Sequence, residues 1–240
     1  YGLQVSLYAG KVRSYLRKKG LPFIERETGH PGFAAAAAKI ATKKQPLVET
    51  PGGEVLQDTT EIIDFLETVH PENPVYPEGR VQHLVALLFE LYGDEGLMKP
   101  AMHYRWNFPE ENDAFLLAEF GRGLLPAGST REAGAAAAKQ LQTFMRSQLV
   151  PSLGVTPESA PAIEAAYEDL LDCLEDHFRS YPYLLGGRPC IGDFGMLAPL
   201  YAHLGRDPHP LGLMKSRAPS CHRWVERMNV ADAGLAEFPN

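Results

Sequence analysis

Cysteine is scarce. The 240 residues hold three, Cys173, Cys190 and Cys221, an odd number with no close pair. That argues against a disulfide framework and against a Cys-rich zinc site, and the expectation is a reducing, cytoplasmic setting. No uninterrupted apolar run reaches the roughly 18–20 residues of a membrane helix. The start, at Tyr1 rather than Met, lacks the apolar core with a basic flank that a secretory leader carries. An excess of basic charge is missing as well: 23 Lys/Arg stand against 30 Asp/Glu, a net charge of −7, the wrong sign for a non-specific nucleic-acid binder. The eight histidines show no HExxH or other tight metal spacing, so no metal site is expected. There is no GxGxxG and no P-loop, and Gly52-Gly53 is turn chemistry.

What is present suits an ordinary globular chain. At this length one large domain or two small ones are possible, and folding buries about 70–75% of the unfolded surface. Hydrophobic residues make up 45% and charged residues 22%, which excludes disorder.

The first 70 residues alternate strand and helix signals. Leu3–Tyr8 (LQVSLY) reads as a first strand. In Lys11–Lys19 (KVRSYLRKK), Val12, Tyr15 and Leu16 make one apolar helical face that Gly20 ends. Pro22-Phe23-Ile24-Glu25 reads as a second strand, and the alanine-rich 33–41 has high helix propensity. Gln45–Thr50 and Glu54–Gln57 around Pro51-Gly52-Gly53 predict a hairpin, and Thr59-Thr60-Glu61 opens an amphipathic helix. The order is βαβαββα, the pattern of a small α/β sandwich. Three prolines in 71–79 mark a linker, so the domains are expected at 1–72 and 80–240 with 73–79 between them. Helical stretches follow at 81–103, 112–122, 131–149, 161–180, 193–204 and 220–228, with no convincing strand. Charge divides at the same boundary: residues 1–72 hold nine Lys/Arg and nine Asp/Glu, leaving the whole acidic excess to the helical part.

Two segments can carry chemistry. Gln45-Pro46 leads a strand, and a cis bond there would turn the Gln45 backbone towards an extended peptide; a trans proline at a strand edge is the plain alternative. Asp58-Thr59 ends a strand and opens a helix, whose free N–H groups favour a carboxylate while the Asp favours an ammonium. The two together suit the ends of an amino acid, against the alternative of a simple N-cap.

LYAGKVRSYLRKKGLPF, QPLVETPGGEVLQDTTEIIDFLE and GGRPCIGDFGMLAPLYAHL together resemble the glutathione S-transferase family over most of the chain. The resemblance implies a thioredoxin-like N-terminal domain that binds glutathione, a helical C-terminal domain that shapes the electrophile pocket, and a homodimer. It makes Pro46 the cis-proline, sets Gln45 against the cysteinyl backbone of glutathione, and puts Asp58 and Thr59, in place of the usual Glu-Ser pair, at its γ-glutamyl end. Lys11, Arg13, Lys43 and Lys44 are the basic residues available for the tripeptide's carboxylates, Lys11 first among them. In Cys190-Ile191-Gly192-Asp193 a thiol stands where the family usually has Ser or Thr, and Asp193 reads as a structural cap.

Such transferases act by lowering the pKa of a bound thiol, because the thiolate is the nucleophile. A fall of two units costs about 2.7 kcal/mol, and one hydroxyl donating to the sulfur supplies roughly 1.5–3 kcal/mol. Where many relatives place Ser or Cys, this chain has Ala9. Tyr8 is therefore the candidate catalytic donor, with Ser6 weaker, Ser14 too deep in the helix, and Lys11 or a backbone N–H as further options; a buried strand aromatic is the other reading of Tyr8. Met102, His103, Tyr104, Arg105 and Trp106 are candidates to line the electrophile pocket, against interdomain packing. The expected activity is attack of glutathione thiolate on a small hydrophobic electrophile. The alternative is a binding or scaffold protein of the same fold that has lost the chemistry. Without a cysteine near the first helix, reductive deglutathionylation is disfavoured.

Overall fold

A computed structural model describes residues 1–42 and 44–231. Lys43, one of the basic candidates, lies outside them.

Helix α1 (Leu7–Lys18) begins where Ser6, extended at φ −77°, accepts the Ala9 N–H on its hydroxyl. That cap decides the N-terminus: the predicted strand Leu3–Tyr8 is not formed, and Tyr8 sits in the first helical turn. The extended stretch lies earlier. Tyr1 and Leu47 exchange both backbone bonds, and the Gly2 N–H donates to Arg26 O, so residues 1–2 run between the 47–49 strand and the segment predicted as a second strand. Neither 1–6 nor 22–25 forms a regular ladder. At the other end of α1, Gly20 takes φ +67° while the Leu21 N–H reaches back to Leu16 O, a Schellman-type stop that favours glycine.

Helix α2 (Pro31–Lys39) leads to the hairpin of β1 (Leu47–Glu49) and β2 (Val55–Gln57), paired antiparallel with Val48 opposite Leu56. Helix α3 (Thr59–Val69) follows directly. A long rod then runs as α4 (Arg80–Leu91), a π-helical turn at Tyr92–Gly96, and α5 (Met98–Trp106). Helices α6 (Pro109–Gly123) and α7 (Arg131–Phe144) form a hairpin, a second π turn (Met145–Leu149) leads into the single turn α8 (Val150–Ser152), and α9 (Ala160–Phe178), α10 (Ile191–Ala202), α11 (Pro208–Arg217) and α12 (Pro219–Met228) complete the helical part. Helix α11 falls between the predicted helical stretches 193–204 and 220–228; its Pro208 and Pro210 both sit in the first turn, where no N–H donor is required.

The main core crosses the boundary between the two parts. Val12, Tyr15, Ile62 and Ile63 pack in one cluster with Phe194, Leu197 and Trp224. Helix α10 is the central element, and its Asp193, fully buried, accepts from the N–H groups of Leu184 and Cys190, from the Trp224 indole and from the Cys190 thiol. The structural reading of Asp193 agrees with this geometry. Where α10 crosses the π turn, a Cβ on Gly93 would come within 2.2 Å of the Gly195 carbonyl carbon, and one on Gly195 within 2.5 Å of the Glu90 Cα. Glycine at both positions lets the backbones touch, and the contact fixes where Glu90 and Asp94 stand.

Candidate functional site

Tyr8, Gln45, Pro46, Asp58 and Thr59 line one cleft of about 400 Å³, together with Lys44, Gln57 and Thr60 from the first part and Leu87, Glu90, Leu91, Asp94 and Glu95 from α4 and the π turn. The topology brings them together: the start of α1, the lead into β1 and the start of α3 all end on the same side, and α4 closes the opposite wall.

The Gln45–Pro46 bond is cis. The Gln45 side chain is occupied, its amide oxygen accepting the Leu3 N–H at 2.7 Å. Asp58 caps α3, taking the Thr60 N–H at 3.0 Å, and does so at φ +76°, ψ 132°, a conformation that costs a side-chain-bearing residue of order 1–3 kcal/mol and clusters at ligand sites. Its side chain stays exposed while Thr59 is buried beside it. The start of α3 thus offers the N–H groups of a helix N-terminus and a carboxylate within one turn.

Tyr8 donates its hydroxyl to Asp94 O at 3.2 Å, long for an O–H···O bond. Burial, then the carboxylates of Glu95, Asp94 and Asp58, push its phenol well above the ordinary value. At neutral pH it is a proton-bearing donor and not a base.

Lys11 takes a different place from the one expected. It is fully buried, its ammonium 2.8 Å from Glu90 and 2.6 Å from Asp94, behind the cleft wall; it neutralises that wall and does not point to a tripeptide carboxylate. Arg13 is likewise buried, in a fork with Glu25. The Thr60 hydroxyl donates to the same Glu90 oxygen, so one carboxylate links the starts of α1 and α3 to α4. Glu90 went unrecognised in the sequence, although a lone carboxylate in the apolar run Leu87-Leu88-Phe89-Glu90-Leu91 is a visible signal. Burial pushes the Asp94 carboxyl up, against the pull of Lys11.

The five residues expected to line the electrophile pocket are elsewhere. Tyr104 is buried in the main core, stacked on Phe108. Met102 and Trp106 pack in a core cluster with Leu116 and Phe120. His103 pairs with Glu164 at 2.7 Å. Arg105 is clamped on Asp207. None of them lines the cleft. Interdomain and core packing claims all five, and the apolar wall is Leu87 and Leu91 instead.

The sequence pattern of the glutathione S-transferase N-terminal domain matches residues 1–74, and that of the C-terminal domain matches residues 157–227. The chain belongs to the glutathione S-transferase family. No curated protein matches it. Among solved structures it is similar to the glutathione transferase GSTFuA3 from Phanerochaete chrysosporium, at 15% identity over 93% of this chain and 89% of that one, with a TM-score of 0.60. It is similar also to the beta-etherase LigF from a Sphingobium strain, at 16% identity over 93% and 91%, TM-score 0.57. A glutathione S-transferase from Methylobacterium radiotolerans, complexed with glutathione sulfonate, aligns at 18% identity over 95% and 87%, TM-score 0.51. These identities establish the fold, a thioredoxin-like N-terminal part followed by a helical one. The cleft of this chain is also acidic: four carboxylates, Asp58, Glu90, Asp94 and Glu95, line it. No helix among the described residues is long and apolar enough to cross a membrane.

Proposed function

We propose that this protein binds glutathione in the cleft and presents its thiolate to a small hydrophobic electrophile resting on Leu87 and Leu91. The observation that carries the reading is the convergence of cis-Pro46, the strained Asp58-Thr59 helix start and the Tyr8 hydroxyl on one cavity. Asp58 takes the α-ammonium of the γ-glutamyl end, the α3 N-terminus its carboxylate, and Gln45 the cysteinyl backbone. Tyr8 exchanges its long bond to Asp94 O for one to the sulfur. The setting is cytoplasmic.

Titration calorimetry with glutathione tests the binding; no heat at millimolar ligand sinks the proposal. The bound thiol's pKa, read from thiolate absorbance, tests the chemistry. Tyr8→Phe is expected to raise it by about one to two units, the worth of a hydrogen bond to a charged group, and to leave affinity nearly unchanged. An equal pKa in both proteins removes Tyr8 from the mechanism. The acidic wall favours a second reading, a binder without transfer, because like charges oppose ionisation of the thiol. In that case glutathione binds with its thiol pKa not lowered.

Asp58→Gly separates the two roles of that position. Glycine relieves the positive φ and costs only a few tenths of a kcal/mol as a cap, so thermal stability is expected to rise by about 1 kcal/mol. Loss of the carboxylate is expected to weaken glutathione about tenfold or more. A variant that is less stable, or that binds equally well, contradicts the assignment.

A homodimer is part of the proposal. Val81, Leu84 and Leu88 are 76%, 59% and 55% exposed and fall on one stripe of α4; an uncovered apolar stripe marks an association surface. Light scattering should give twice the chain mass, and Leu84→Glu should return it to one. A wild-type monomer refutes the dimer.

A further inference from the structure

We propose, resting on the glutathione reading of the cleft, that the electrophile is a cation: its apolar body lies on Leu87 and Leu91, and a primary or secondary ammonium on it meets the carboxylates of Glu90, Asp94 and Glu95. All five residues line the same cavity of about 400 Å³. Leu87, Glu90, Leu91 and Asp94 follow one another at helical spacing and so share one face of the rod. Glu95 joins them from the π turn.

Charge on this wall is uncompensated. The single Lys11 ammonium serves both Glu90 and Asp94, and Glu95, which is exposed, pairs with no cation among the described residues. Lys44 is the one basic residue of the lining, and it stands with Gln45 on the opposite wall. Two carboxylate oxygens also lack donors. Glu90 is 6% exposed, and both Lys11 and the Thr60 hydroxyl reach its Oε1, leaving Oε2 without a partner among the described residues. Asp94 gives Oδ2 to Lys11, while its buried Oδ1 accepts from no described residue. A buried acceptor without a donor is costly, and a ligand N–H removes that cost.

The chemistry of the occupant follows by comparison. A carboxylate would meet like charge. A neutral electrophile suits the leucines but leaves three carboxylates to share one ammonium. A quaternary ammonium balances the charge yet brings no N–H to Asp94 Oδ1 or Glu90 Oε2. Among the described residues no group of three or more His, Cys, Asp or Glu side chains is placed to hold a metal ion, so an organic ammonium fits the wall best. A cation also answers the difficulty that an acidic wall poses for the thiolate. An opposite charge within about 4–6 Å of a titrating group favours its ionised form, so the second substrate supplies the charge that the cleft lacks.

Calorimetry on the full chain with the S-aminobutyl, S-pentyl and S-carboxypropyl conjugates of glutathione, three substituents of similar length, tests the charge apart from the tripeptide. The aminobutyl conjugate is expected to bind about tenfold more tightly than the pentyl one, and the carboxypropyl conjugate more weakly than either. Glu95→Gln, at an exposed position, is expected to lower the ratio of aminobutyl to pentyl affinity about threefold, the worth of an exposed ion pair, at an unaltered melting temperature. Equal binding of the aminobutyl and pentyl conjugates, tighter binding of the carboxypropyl one, or an unchanged ratio in Glu95→Gln each overturns the cationic electrophile while glutathione itself still binds. Absence of binding by glutathione and by all three conjugates sinks the reading of the cleft, and this proposal with it.

Discussion

Lys11→Met is expected to destabilise the protein by about 3–5 kcal/mol, the cost of stranding one side of a buried ion pair. At this size that is a fall in melting temperature on the order of 6–20 °C. Methionine replaces the buried stem with an apolar chain of similar length, so the loss is chiefly electrostatic. Glu90 and Asp94 remain behind with side chains 7% and 14% exposed, and the Thr60 hydroxyl alone stays bonded to Glu90. The pH dependence gives the effect its sign. Burial already raises the folded-state pKa of Asp94 above its unfolded value, so the folded protein binds the proton more tightly than the unfolded chain does. Such a group supports the fold most fully when protonated, and that support is lost as pH rises through the folded pKa. Removing the lysine pushes the same pKa further up. The deficit of Lys11→Met is therefore largest at neutral pH and shrinks as the solution is acidified. Thermal melts of both proteins across the acid range read this directly; a deficit independent of pH, or one that grows in acid, is incompatible with a buried ammonium neutralising this wall.

The placement of Lys11 illustrates where a sequence is readable and where it is not. The hairpin, α3 and most of the long helices are legible because each combines a period with punctuation: Pro51-Gly52-Gly53 between two short extended runs, Asp58 before Thr59, Pro161 near the start of α9. Lys11 lies on a helix whose sequence shows an apolar face at Val12, Tyr15 and Leu16, and a lysine beside that face reads as free to meet a ligand carboxylate. Packing reverses this, since α1 is covered by α10 and α3 and meets the π turn, and Lys11, Arg13 and Ser14 are all buried. The π turn itself carries no signal in hydrophobic period; it shifts the phase of the rod by one residue and turns Asp94 and Glu95 into the cleft. Such insertions recur at functional sites, and here one decides which side chains of α4 face the ligand. The Met102–Trp106 segment fails for the complementary reason. Every residue from Pro100 to Trp106 is buried, so no exposed face separates lining from core, and a run rich in aromatics, His and Arg suggests a pocket where there is packing.

Arg105 makes that distinction measurable. Its guanidinium donates through Nε and Nη2 to both Asp207 oxygens, at 2.6 and 2.9 Å, and also to Ala202 O at 2.6 Å and Val5 O at 2.8 Å. It ties the N-terminal segment, α5 and the end of α10 to one buried carboxylate, and Asp207 is 0% exposed. Arg105→Met is expected to cost about 3–5 kcal/mol, because it leaves Asp207 ionised and unpaired in the core. Burial pushes the Asp207 carboxyl up even with the arginine present, so this deficit, like that of Lys11→Met, lessens in acid. The double variant Arg105→Met, Asp207→Leu removes both charges and is expected to recover most of the loss, since an apolar pair of matching volume replaces a buried ion pair at little cost; the two carbonyls left without donors set the remainder. Glutathione affinity and the KM for any electrophile, measured where each variant is fully folded, should match the wild type. An Arg105→Met protein of normal stability with a raised electrophile KM would return Arg105 to the pocket wall and overturn its assignment to the core.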